Sequence, residues 1–271
     1  MPRIGSTPFA FPEFRGATRS LVLWNIAAYF ALALTGWLLP SLYLNLRSYL
    51  EFTPAGFLLG QFWQAVTYSF IHPTLPGALF ELISLWFLAG FLESTRERGW
   101  VLGLYFTSVI GAALAALVLH LLVFDVFRAA PVTVALSGCF GGIFGLLVAI
   151  GLLYGDTQFL LFFTIGIKAR YLVAIYALVS IAMLFGDQRF FAFAELGGAV
   201  AGWFWIRLAP RRGFGFALSE SWYGLRNRYY RWKRRRASRK FEVYMRSQGR
   251  NVRLDGQGRQ LDDHDDKKRW N

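Results

Sequence analysis

Apolar residues in this chain gather into six segments separated by short polar stretches, at 21–44, 77–92, 100–124, 132–154, 171–184 and 190–208. A helix needs ~20 residues to cross the hydrocarbon of a bilayer, so the second and fifth segments are short for that task. Between the first two lies 48–71, a stretch of mixed polarity with Trp63, Tyr68 and Phe70. Amphipathic aromatics are stable at a membrane interface, so this stretch reads as a structured loop lying partly in it. The pattern predicts an all-α polytopic membrane protein. It has an N-terminal segment at 1–20, a six-helix membrane domain at 21–208 and a tail at 209–271.

Composition agrees with the pattern. Of the 271 residues 55% are apolar and only 17% charged, less charge than a soluble domain of this size needs to cover its surface. Residues 1–206 hold ten Arg/Lys against nine Asp/Glu, whereas 207–271 hold nineteen against seven. A nearly neutral, lipid-soluble body is therefore followed by a strongly basic tail. The first 20 residues contain Pro, Gly and three Arg rather than the apolar centre of a secretory signal, so the first apolar run is expected to remain as an anchor. The one cysteine, Cys139, rules out an internal disulfide. Set among glycines in an apolar run, it reads as a small packing residue rather than a nucleophile.

The basic residues also orient the segments. Arg3, Arg15 and Arg19 precede the first, Arg96 and Arg98 lie between the second and third, and Lys168 and Arg170 between the fourth and fifth. The other connections carry one each: Arg47, Arg128 and Arg189. With the tail added, the positive-inside rule places both termini in the cytoplasm. The expected location is a prokaryotic plasma membrane. Gly141/Gly145 in the fourth segment and Gly198/Gly202 in the sixth are small-xxx-small pairs that let helix backbones approach closely.

Four stretches carry a family resemblance. Gly138-Cys139-Phe140-Gly141-Gly142-Ile143-Phe144-Gly145-Leu146 resembles Gly-x-Ser-Gly-x-x-x-Gly/Ala-Leu of the rhomboid intramembrane serine proteases. Phe62 to His72 is similar to that family's Trp-Arg-x-x-Thr-x-x-Phe-x-His in the first loop. Leu79 to Phe87, with Glu93 and Gly99, looks like its second helix, and Ala194-Glu195-Leu196-Gly197-Gly198 with Gly202 resembles its Ala-His-Leu-Gly-Gly-x-x-x-Gly. The resemblance implies a rhomboid-like bundle of six transmembrane helices over about residues 20–208.

It also implies where chemistry would sit. Such a protease uses a serine on the fourth helix and a histidine on the sixth as nucleophile and base. Those positions hold Phe140 and Glu195 here. The oxyanion donors on the second helix fall at Gly77 and Glu81, and the loop arginine is Gln64. Only the outer histidine, His72, is retained. Phenylalanine attacks no carbonyl, and a carboxylate repels a developing oxyanion. The implied function is that of a pseudoprotease binding transmembrane helices of client proteins through a lateral opening.

Two alternatives stay open. Ser137 is a displaced candidate nucleophile, with Glu195 as its only plausible base. Glu81 and Glu195, the acidic residues well inside apolar segments, form a candidate cation or proton site with His72 at the mouth, since buried carboxylates must be paired, hydrated or protonated. The competing reading is a buried hydrogen-bonded pair that only holds helices together. No spacing of His72, Glu81 and Glu195 is diagnostic of a metal, and no cofactor is expected. In the tail, 219–245 reads as one basic helix interleaved with aromatics, suited to anionic lipid headgroups; nucleic acid, an acidic partner or plain positive-inside anchoring fit the same composition, and a flexible end is expected beyond it.

Overall fold

The computed structural model describes residues 12–123, 135–161, 165–208, 226–233, 244 and 247–249. In chain order these form α1 (Gly16–Leu38), α2 (Pro40–Leu50), α3 (Pro54–Leu58), α4 (Gln64–Thr67), a 3-10 turn (Tyr68–Phe70), α5 (Leu75–Glu93) and α6 (Arg98–Leu121). They continue with α7 (Phe140–Leu153), a hairpin of β1 (Gln158–Leu161) and β2 (Ile165–Lys168), α8 (Ala169–Met183) and α9 (Arg189–Leu208). The hairpin is antiparallel, with Gln158 opposite Lys168. The chain divides into two compact units, Met1–Phe214 and Gly215–Asn271. Within the second unit 226–233 is helical with every side chain exposed. The rest of the 219–245 helix expected from the sequence falls almost entirely outside the described residues, as does nearly all of the end beyond it.

Each of the six apolar segments holds one main helix, but three boundaries differ clearly from the sequence pattern. The first segment was expected to run to residue 44, whereas α1 stops at Leu38. Pro40 explains the break: it begins α2 at a position where its missing N–H costs nothing, and it forces Leu39 out of the helical region, to φ −139° and ψ 76°. At its other end α1 begins at Gly16, ahead of the expected boundary at 21. The fourth segment was expected to span 132–154, yet α7 begins only at Phe140. Its lead-in is extended instead: Leu136 exchanges two backbone hydrogen bonds with Phe52, of 2.8 and 3.1 Å, from the loop after α2. Residues 132–134 lie outside the described ones. Of the helices, α1, α5 and α6 are long and apolar enough to cross a membrane, while α7 and α8 are apolar but shorter.

A three-helix core of α6, α7 and α9 organises the bundle. Nine of the fourteen residues of α7 are buried. Glycines set its distance from α9: a Cβ on Gly198 would collide with the carbonyl of Gly141, and one on Gly202 would lie 2.8 Å from the Cα of Gly145. The two small-xxx-small pairs face each other. On the neighbouring face of α9, Gly197 and Ala201 meet Ala115 and Gly111 of α6. Such close approach lets backbones gain dispersion contacts where lipid offers no hydrophobic drive. Replacing Gly198 by Ala should cost at least about 2 kcal/mol, because backbone must shift. Gly99→Ala, where an added Cβ meets nothing within 4 Å, should stay within about 0.5 kcal/mol. Unfolding in mixed detergent micelles measures both, and equal effects would refute the seam.

Candidate functional site

The start of α7 lies inside the bundle, so its backbone needs partners supplied by protein. Gly138 makes the turn at φ +92°, a conformation that L side chains rarely adopt. Its N–H is shared between the carbonyls of Ile71, at 2.8 Å, and Tyr68, at 3.1 Å. The next N–H, of Cys139, donates to Oε2 of Glu81 from α5. A side chain on Gly138 would sit 2.8 Å from both oxygens of that carboxylate. Glycine is required here on both counts. A carboxylate at this end also complements the positive end of the helix dipole.

Behind Glu81 runs a buried polar chain. His72 places Nδ1 at 3.3 Å from Oε2 of Glu81, close to it but without the geometry of a hydrogen bond. Its Nε2 lies 3.0 Å from Oδ1 of Asn25, whose amide donates to the carbonyl of Leu21 at 2.8 Å. Because the Asn25 amide is committed to Leu21, its oxygen must accept, which puts a proton on Nε2 and turns Nδ1 to the carboxylate. Helices α1, α5 and α7 and the loop before α5 are joined through this chain.

At the far end of α5 a second carboxylate repeats the device. Glu93 accepts from the N–H groups of Ala17, at 2.6 Å, and Thr18, at 2.9 Å, and from the Thr18 hydroxyl at 2.8 Å, capping α1. In the loop, Gln64 is fully buried: its amide oxygen takes the N–H of Thr53 at 3.1 Å, and its NH₂ donates to Gln61 at 2.6 Å. It stitches the segment that carries Tyr68 and His72 into place.

Glu195 stands apart from this chain. Its Oε2 accepts from the hydroxyl of Ser180 on α8 at 2.9 Å. Together with Ser137, Phe140, Tyr68 and Phe191 it borders a cavity of about 20 Å³, large enough for one water. Gly138 separates the two clusters, touching Glu81 on one side and the cavity on the other. Each carboxylate is thus held by a different partner, His72 and Cys139 for Glu81, Ser180 for Glu195. Gly77 belongs to neither cluster: its N–H donates to the Thr74 hydroxyl at 3.3 Å as part of the α5 N-cap. Sequence reasoning missed Asn25 and Ser180. A lone amide inside an apolar run, as at position 25, was the available signal.

The model of the family described as eukaryotic integral membrane protein (DUF1751) matches residues 23–213, from within α1 to just past α9. The chain belongs to this family. The side chains of both clusters lie within the matched span of this DUF1751 protein, which is accordingly an integral membrane protein. The family's eukaryotic description does not fit the prokaryotic membrane expected from the sequence; charge bias orients helices but carries no information on the organism. No curated protein sequence matches the chain.

Removing the carboxylate of Glu81 leaves a buried N–H and a buried imidazole nitrogen without it. Glu81→Ala should therefore cost about 3 kcal/mol. Glu81→Gln keeps an acceptor for Cys139 and should lose clearly less. Micelle unfolding of the two variants compares them, and equal losses would mean that the hydrogen bond is not what matters.

Proposed function

We propose that this chain is a rhomboid-like, non-catalytic membrane protein that binds transmembrane segments of client proteins. The grouping of the DUF1751 family with rhomboid-like families supports this. So does the order of α1 and α5 to α9, which we take as its six spans with both termini cytoplasmic. One observation carries the non-catalytic part. Acyl transfer needs donors free to meet an oxyanion, and the N–H beside position 140 is occupied by the carboxylate of Glu81. A negative group in that place opposes the charge that the reaction must develop.

The binding surface is a lateral recess between α5 and α8, floored by α7. Phe80, Ile83 and Phe87 line one side, Leu172 and Tyr176 the other, and Ile143 and Leu147 the floor. Its volume of about 220 Å³ admits one or two large side chains. That suits the knobs of a helix lying along the opening rather than a whole helix. The exposed helix at 226–233, with Arg228, Arg231 and Lys233 beside Tyr229, Tyr230 and Trp232, is assigned to anionic headgroups at the membrane surface.

A second reading keeps Ser137 as nucleophile, because it borders the same cavity as Glu195. Against it, the Glu195 carboxylate already accepts from Ser180. A cation or proton site on Glu81 and Glu195 is weakened likewise, since their partners differ.

A fluorophosphonate probe should leave the protein unlabelled; labelling abolished by Ser137→Ala would establish the protease reading instead. A photo-crosslinking residue at Ile83 should capture helices of other membrane proteins. The same residue at Leu114, on an exposed face of α6, should not. Lipid adducts alone at position 83 would remove client binding.

A further inference from the structure

Two spaces of opposite character meet at one side chain. The lateral recess between α5 and α8 is lined mostly by apolar residues, with Ser84 and Tyr176 the described lining residues that carry a hydroxyl. The inner cavity holds Ser137 and the Glu195 carboxylate. Phe140 borders both. Its ring packs against Phe80 of α5, centroids 6.4 Å apart, so two aromatic rings close the passage from the recess inward. Position 140 opens α7 directly after the Gly138 turn, whose backbone is tied to Tyr68, Ile71 and Glu81. The backbone that carries the wall is therefore anchored, and the ring itself rests on Phe80.

We propose that Phe140 is a partition that confines a docked helix to the mostly apolar recess, so that clients are read mainly by the shape of their side chains and are kept from the carboxylate of Glu195. This rests on the client-binding reading above. The physical reason is a comparison with lipid. A polar group in the middle of a client helix has no partner in hydrocarbon, and the recess offers it only the hydroxyls of Ser84 and Tyr176 and no charge, so docking gains little on its account. With the partition removed, the same group could reach Ser137 and Glu195 and would gain a hydrogen bond. Phe140 therefore sets specificity by withholding the polar pocket.

The partition and its consequence are tested separately. With the only cysteine removed (Cys139→Ala), Ser137→Cys reports access to the inner cavity. A long-chain maleimide dissolved in the bilayer and a charged, water-confined thiosulfonate approach it from different sides. Phe140→Ala should raise the rate of the lipid-dissolved reagent severalfold and leave that of the charged reagent nearly unchanged. Equal rises would mean general loosening, and no change would mean that Phe140 closes nothing; either result overturns the proposal. Phe140→Val gives the same comparison should the alanine variant fail to fold.

For the consequence, a leucine-rich transmembrane peptide and its counterpart with one central asparagine compete for the crosslinker at Ile83. The native protein should capture both nearly equally, and Phe140→Ala should favour the asparagine peptide severalfold. A comparable native preference for the asparagine peptide would overturn the shape reading. If neither peptide is captured by any variant, client binding fails, while the labelling rates still decide whether the partition exists.

Discussion

The architecture turns on one constraint: a helix that begins inside an apolar bundle must find protein partners for its first backbone N–H groups. Here α7 is that helix. Its 14 residues rise only ~21 Å, less than the ~30 Å hydrocarbon core, so it cannot bring both ends to water if it stands in the membrane. The burial of its first turn has to be compensated locally. Glu81 takes the N–H of Cys139, the N-cap of α7, while the carbonyls of Tyr68 and Ile71 hold Gly138 and the extended pairing with Phe52 holds Leu136 in the lead-in. These partners come from different elements, so placing α7 also places α5, the loop before it and the lead-in strand.

The same constraint explains why α5 carries its charges where it does. Glu81 and Glu93 lie twelve residues apart, ~18 Å along the helix, and each meets the N-terminus of a different helix. A carboxylate bonded to backbone N–H groups at a helix start gains both hydrogen bonds and favourable dipole interaction, which offset part of its desolvation. Polar residues in this bundle thus serve as connectors between helix ends, while glycines set helix-to-helix distances.

Much of the fold could be read from the sequence, since each apolar segment contains a helix and the Gly141/Gly145 and Gly198/Gly202 pairs do face one another. What could not be read depended on single residues acting against the hydropathy pattern. Pro40 ends α1 inside an apolar run, and Gly138 delays α7 although the residues before it are just as apolar. The site followed the same division. His72 and Glu81 were expected in one cavity and do meet, but Glu195 turns to Ser180 instead of Glu81. Spacing along a helix tells which face a carboxylate shares; it does not tell which of several nearby donors will take it.

This arrangement bears on how far chemistry and scaffold are separable at such a site. A hydrolytic centre here would need free donors around the start of α7 and a hydroxyl at its first residue. In this chain the first donor is spent on holding the helix and the first residue is an aromatic ring packed on Phe80. On the proposed rhomboid-like reading, a serine placed at position 140 would still find Glu81 on the N–H that an oxyanion requires. Glu81 cannot simply be withdrawn, because the buried end of α7 depends on it. On that reading, the groups that stabilise this bundle and the groups that catalysis would need compete for the same atoms, the N–H of Cys139 first among them.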